Sequence, residues 1–112
     1  MPGASKQTEL LAGTLNMLIL QVLAPGKANG YEIAKLLENR SDEALQVDHG
    51  SLYPALRRLE ANGWVEAMWE VSPTNRKARY YALTAAGRKQ VVVERERWNL
   101  AVAAVSRIMG PA

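Results

Sequence analysis

The apolar positions of the chain change their period from helical to alternating and back, and each change marks an element. Leu11, Leu15, Leu18 and Val22 recur at i, i+4, i+7 and i+11, one stripe of a helix. Leu10, Met17, Ile19, Leu20 and Leu23 add apolar surface on other faces. A helix over residues 10–23 is therefore expected to be covered on more than one side. Pro25-Gly26 stops it. Asn29-Gly30 precedes a short second helix over residues 31–38. Residues 41–48 are acidic and loop-like, with Leu45-Gln46-Val47 long enough for one short strand. A third helix, capped by Asp48 or Ser51, runs to Asn62, and Gly63 is its left-handed terminator. Leu52, Leu56 and Leu59 form its inner face, and Pro54 is tolerated in its first turn, where backbone N–H groups lack intrahelical partners.

The period then switches to two. Val65, Ala67, Trp69 and Val71 alternate with Glu66, Met68 and Glu70, and Arg79-Tyr80-Tyr81-Ala82-Leu83 favours a second strand. The polar residues 72–77 turn between them, giving a hairpin with a basic tip. Thr84 is a plausible N-cap for a last helix that ends near Met109, before Gly110-Pro111. The order is helix, helix, short strand, helix, hairpin, long helix. That order predicts a mainly α fold with a small β-hairpin wing (α+β): a winged helix-turn-helix with an added C-terminal dimerisation helix. Residues 1–7 form a flexible arm, 8–84 the winged domain and 85–109 the dimerisation helix, which makes one structural unit with the first helix.

The last helix carries Trp98, Val102, Val105 and Met109 at i, i+4, i+7 and i+11. One small domain offers little to bury that stripe as well as the first helix. A homodimer is expected, with Leu11, Leu15, Leu18, Trp98, Val102, Val105 and Met109 at the interface.

Composition narrows the chemistry. A chain of 112 residues suits one small domain. It has no Cys and a single His, His49, which disfavours thiol nucleophiles, Cys-ligated zinc and a His-based metal site. Asp48, His49 and Ser51 are triad residue types, but sequence neighbours point in different directions. Pro25-Gly26-Lys27 lacks the spacing of a phosphate-binding loop. No enzymatic activity, cofactor or metal is expected. Residues 10–23 are too short and too polar to span a bilayer and lack the frame of a signal peptide, so the expectation is a cytoplasmic protein without a membrane partner.

Net charge is only +3, but charge is segregated. No Asp or Glu occurs between Val71 and Val93, a stretch holding Arg76, Lys77, Arg79, Arg88 and Lys89. Residues 38–48 hold four acids and one Arg. On the third helix Pro54, Arg57, Arg58 and Ala61 lie opposite the leucines, with Ser51 and Tyr53 on the flanks. Such a face fits a major groove, where Arg reads guanine edges or grips phosphate. Cations at a wing tip meet phosphates. Double-stranded DNA is the expected partner. The alternative is a winged-helix protein-interaction module without specific DNA binding, whose basic wing meets an acidic protein.

The chain also resembles the PadR family of bacterial transcriptional regulators. The likeness rests on Gly30-Tyr31-Glu32-Ile33, on Gly50-Ser51-Leu52-Tyr53-Pro54-Ala55-Leu56-Arg57-Arg58-Leu59-Glu60, on Asn62-Gly63-Trp64-Val65, and on the run from Asn75 through Arg79-Tyr80-Tyr81 to Thr84-Ala85-Ala86-Gly87. Its short C-terminal helix resembles the compact subgroup. The resemblance implies a homodimeric repressor of a palindromic operator, with each third helix in a major groove. The expected DNA contacts are Tyr31, Lys35, His49, Ser51, Tyr53, Pro54, Arg57, Arg58, Arg76, Lys77, Arg79 and Tyr80. The resemblance also implies release by a small aromatic effector in some compact members, with Trp98 as the candidate effector contact.

Overall fold

The structure, a computed structural model, describes residues 14–111. The expected arm at residues 1–7, the start of the first helix and Leu11 lie outside the described residues. Helix α1 (Leu15–Val22) packs against three further helices among the described residues, α2 (Gly30–Arg40), α3 (His49–Ala61) and α4 (Ala85–Met109). This central position explains its apolar character on several sides. Leu15, Ile19, Leu20, Val22 and Leu23 are buried with Ile33, Leu37, Leu52, Leu56 and Leu59 in one core. Leu15 was expected at a subunit interface. It instead fills the core of its own chain, because it shares the i, i+4, i+7 stripe of Ile19 and Val22. Leu18, on the side toward α4, is only half-buried.

Local chemistry sets each helix start. The Asn29 side chain accepts the Glu32 N–H at 2.8 Å, while the Glu32 carboxylate accepts the Asn29 N–H at 3.0 Å, a reciprocal cap on α2. Asp48, not Ser51, caps α3, its carboxylate accepting the Ser51 N–H at 2.8 Å. Thr84 caps α4, its hydroxyl accepting the Gly87 N–H at 3.0 Å. Gly63 has φ +76°, as the end of α3 requires.

The sheet is three-stranded, antiparallel, in the order β1-β3-β2, where β1 is Ala28–Asn29, β2 Val65–Val71 and β3 Lys77–Leu83. The expected strand at Leu45-Gln46-Val47 does not form. Ala28 and Asn29 already pair with Tyr81 and Tyr80 on the free edge of β3. Residues 42 and 43 instead turn the chain through positive φ, and Leu45 and Val47 pack on the core by side chain alone. In the hairpin Val65 faces Leu83 and Val71 faces Lys77, so one face carries Val65, Ala67, Trp69 and Val71 with Leu83, Tyr81, Arg79 and Lys77. The core end of that face is buried and its far end leaves the core: Val65 is 2% exposed and Trp69 66%.

Helix α4 has 25 residues and is roughly 37 Å long at the usual rise. Its first turns dock on the domain. Val91 packs on the core, and the Arg95 guanidinium donates to the Gln21 side-chain oxygen at 2.7 Å. Every residue from Arg95 to Met109 is exposed, including Trp98, Leu100, Val102, Val105 and Ile108. Among the described residues no helix is long and apolar enough to cross a membrane.

Candidate nucleic-acid interface

Helix α3 and the wing form the two walls of a cleft of about 870 Å³. Tyr53, Arg57 and Glu60, at i, i+4 and i+7, form the helix wall. Trp69, Arg79 and Lys77 from the outer half of the hairpin form the other, with Arg76 at the tip and Tyr31 of α2 at one end. His49, one turn before Tyr53, stacks on its ring with centroids 5.6 Å apart. The Tyr53 phenol lies against Gly30 closely enough that a Cβ there would overlap it. The glycine that opens α2 therefore leaves room for the tyrosine that heads the cleft.

Charge in the cleft is one-sided. Its cations are Arg57, Arg76, Lys77 and Arg79, and its acids are Glu32 and Glu60. Both acids are engaged within the fold. Glu32 closes the α2 cap, and Glu60 pairs with the Arg79 guanidinium at 3.0 Å. Arg57, Arg76 and Lys77 are exposed, and positive charge dominates the opening. Burial pushes the Tyr81 phenol at the base of the cleft above its ordinary 10.0, against the opposing pull of Arg79.

The structure divides the expected contact residues. His49, Ser51, Tyr53 and Pro54 lie on the accessible N-terminal part of α3, Arg57 is exposed two turns after His49 on the same helix, and Tyr31 and Lys35 are exposed on α2. The two adjacent arginines separate. Arg57 lines the cleft, whereas the Arg58 guanidinium turns to the Asn16 side-chain oxygen of α1 at 3.4 Å. Arg79 is not a free cation but the wing's half of the Glu60 bridge. Tyr80 is 7% exposed and faces the back of the sheet, away from the cleft face. Lys27 Nζ sits 5.9 Å from its ring centroid and 2.7 Å from each carboxylate oxygen of Glu70. Alternation put Tyr80 on the face opposite Tyr81; that the back face is itself covered was not visible in the sequence. The residue missed was Trp69. Its alternation with Val65 and Ala67 placed it on their face of the strand, but the period says which face a residue shares and not where the core ends.

A second cavity, of about 500 Å³, lies between α1, the end of α2 and α4. Met17, Leu18, Leu45, Val91 and Trp98 give it an apolar lining, with Gln21, Arg40 and Arg95 around them.

Residues 19–92 match the model of the transcriptional regulator PadR-like family. The chain belongs to that family. PadR-like proteins are transcriptional regulators, not enzymes, and membership carries DNA-binding regulation with it. The chain is similar to a transcriptional regulator from Clostridium thermocellum, with a TM-score of 0.83 and 28% identity over 91% of this chain and 99% of that one. It is likewise similar to a PadR-like transcriptional regulator from Bacillus cereus, with a TM-score of 0.77, 25% identity, and coverage of 93% and 99%. The negative transcriptional regulator PadR of Bacillus subtilis is 25% identical over 77 residues, which are 69% of this chain and 42% of that protein. The winged helix-turn-helix expected from the element order is the fold of these PadR-like structures.

Proposed function

We propose that the protein is a cytoplasmic homodimeric repressor that binds a palindromic operator in double-stranded DNA and is released by a small aromatic effector. The observation that carries this reading is the cleft in which both acids are held by partners in the fold while Arg57, Arg76 and Lys77 remain exposed. Arg57 is the base-reading residue, because it is the exposed arginine of α3 that lines the cleft, whereas Arg58 is turned to Asn16. Arg76 and Lys77 are phosphate contacts at the wing tip.

Dimerisation is supported by the apolar end of α4, where Trp98, Val102, Val105 and Met109 share an exposed stripe. Leu18 is the α1 residue best placed to join it. Residues 85–109 thus serve both as part of the fold and as the dimerisation helix. The effector reading is supported by the cavity in which Trp98 meets Met17, Leu18 and Val91, since an indole offers a broad face to a planar ring.

Selection from a randomised duplex library at physiological salt tests the proposal. The expected product is an inverted repeat, bound by two protomers, with affinity falling steeply as salt rises. Recovery of no preferred sequence, together with a monomeric mass in light scattering, would reject it in favour of a protein-interaction module.

A further inference from the structure

Trp69 is the one large apolar side chain in the cleft wall that the fold leaves mostly open to solvent on the wing, at 66% exposure. Ala67, two residues earlier on the same face, packs on the core, but Trp69 lies past the core's edge and is not buried against it. Instead the indole stands directly across the ladder from Arg79. Arg79 in turn is tied to Glu60 of α3. The indole is thereby carried on a hairpin whose angle to the recognition helix is braced by an ion pair, and it faces a space lined by Arg57, Arg76 and Lys77.

We propose that Trp69 packs on the deoxyribose face of the DNA strand that runs between α3 and the wing. This rests on the DNA-binding reading above. When a helix occupies a major groove and a wing lies beside it, the strand that separates that groove from its neighbour passes between them. The strand presents phosphates at intervals and apolar sugar C–H surface between them. The cleft offers the matching order of groups: cations from the wing tip and α3 for the phosphates, and one apolar plate between them for the sugar. The charge of the cleft selects a polyanion, which an acidic or apolar protein surface of mixed charge would match less well. The contact is uncharged, so it adds affinity without adding to the salt dependence.

Two measurements on the full-length protein test this, with a selected duplex as the probe. Trp69→Ala is expected to weaken binding about tenfold, equivalent to losing roughly 60 Å² of buried apolar surface, with the salt slope unchanged. Trp69→Phe is expected to recover most of the loss. In wild-type protein labelled with 5-fluorotryptophan, the fluorine resonance assigned to Trp69 by its absence from Trp69→Phe should shift on adding duplex. That reading needs no alanine variant to fold. Duplex binding by wild type with an unmoved Trp69 resonance and an unaltered Trp69→Ala affinity overturns the proposal and leaves the DNA reading standing. Failure of the wild type to bind any duplex rejects both.

Discussion

Gly87 in the first turn of α4 lies so close to the carbonyl of Trp64 that a Cβ at this position would overlap the oxygen. The same carbonyl accepts the Thr84 N–H at 3.0 Å, and the Thr84 hydroxyl donates to the Gly63 carbonyl at 2.6 Å. Thr84 and Gly87 together lock the start of α4 onto the turn between α3 and β2. The obstacle is backbone, which cannot rotate away. Gly87→Ala is therefore expected to destabilise the protein by about 2–3 kcal/mol, at the upper end for overpacking, despite the better helix propensity of Ala. Urea unfolding followed by circular dichroism checks this, and a change below about 0.5 kcal/mol would contradict the close approach.

Gly30→Ala should behave differently. Its obstacle is the phenol of Tyr53, the movable end of a side chain. The expected outcome is a modest loss of stability and a larger loss of duplex affinity, as Tyr53 and the stacked His49 are displaced from the cleft. Equal losses in the two measurements would show that Tyr53 serves packing alone.

Arg57→Ala is expected to cost roughly 1–3 kcal/mol in duplex binding and to relax preference at one operator position. Lys77→Ala should weaken all duplexes alike and lower the salt slope by about 1. Arg58→Ala, whose guanidinium is directed to Asn16, should have the smaller effect of the two helix arginines. Parallel selections with each variant give the comparison.

The Glu60–Arg79 bridge is exposed, so Glu60→Gln should alter stability by no more than about 0.5 kcal/mol. It removes a negative charge from the cleft and frees a guanidinium. Non-specific duplex binding should tighten and its salt slope should rise by about 1. A slope equal to wild type would show that Arg79 does not reach phosphate even when released.

Tyr81 makes stability depend on alkaline pH. Its folded-state pKa is raised by burial, so the folded protein disfavours the phenolate more than the unfolded chain does. The associated stability is fully present below the unfolded value near 10.0 and is lost as pH rises above it. Denaturation midpoints between pH 9 and about 11 should fall, and Tyr81→Phe should flatten the fall.

Which parts were legible in the sequence follows from which parts are local. The caps at Asp48 and Thr84, the terminator Gly63 and the hairpin of β2 and β3 each depend on residues a few positions apart, and each was readable. Strand β1 is two residues whose identity as a strand comes entirely from Tyr80 and Tyr81, far along the chain. The separation of Arg57 from Arg58 depends on Asn16 of α1, and the burial of Leu15 on the packing of α1 among the other helices of the core. Trp69 escaped for a related reason. The sheet extends past the core, and an alternating pattern has the same form on either side of that edge.

Helix α4 runs without a break from the cap at Thr84 to Met109, and this ties the direction of its distal stripe to the winged domain by helical phase. Each residue inserted between Val93 and Trp98 would advance Trp98, Val102, Val105 and Met109 by about 100° and 1.5 Å relative to the cleft. In a dimer joined through that stripe, the two recognition helices would swing to a new mutual angle and separation. In such a dimer, the half-site spacing of a palindromic operator would be written in the pitch of one helix, several turns away from the cleft.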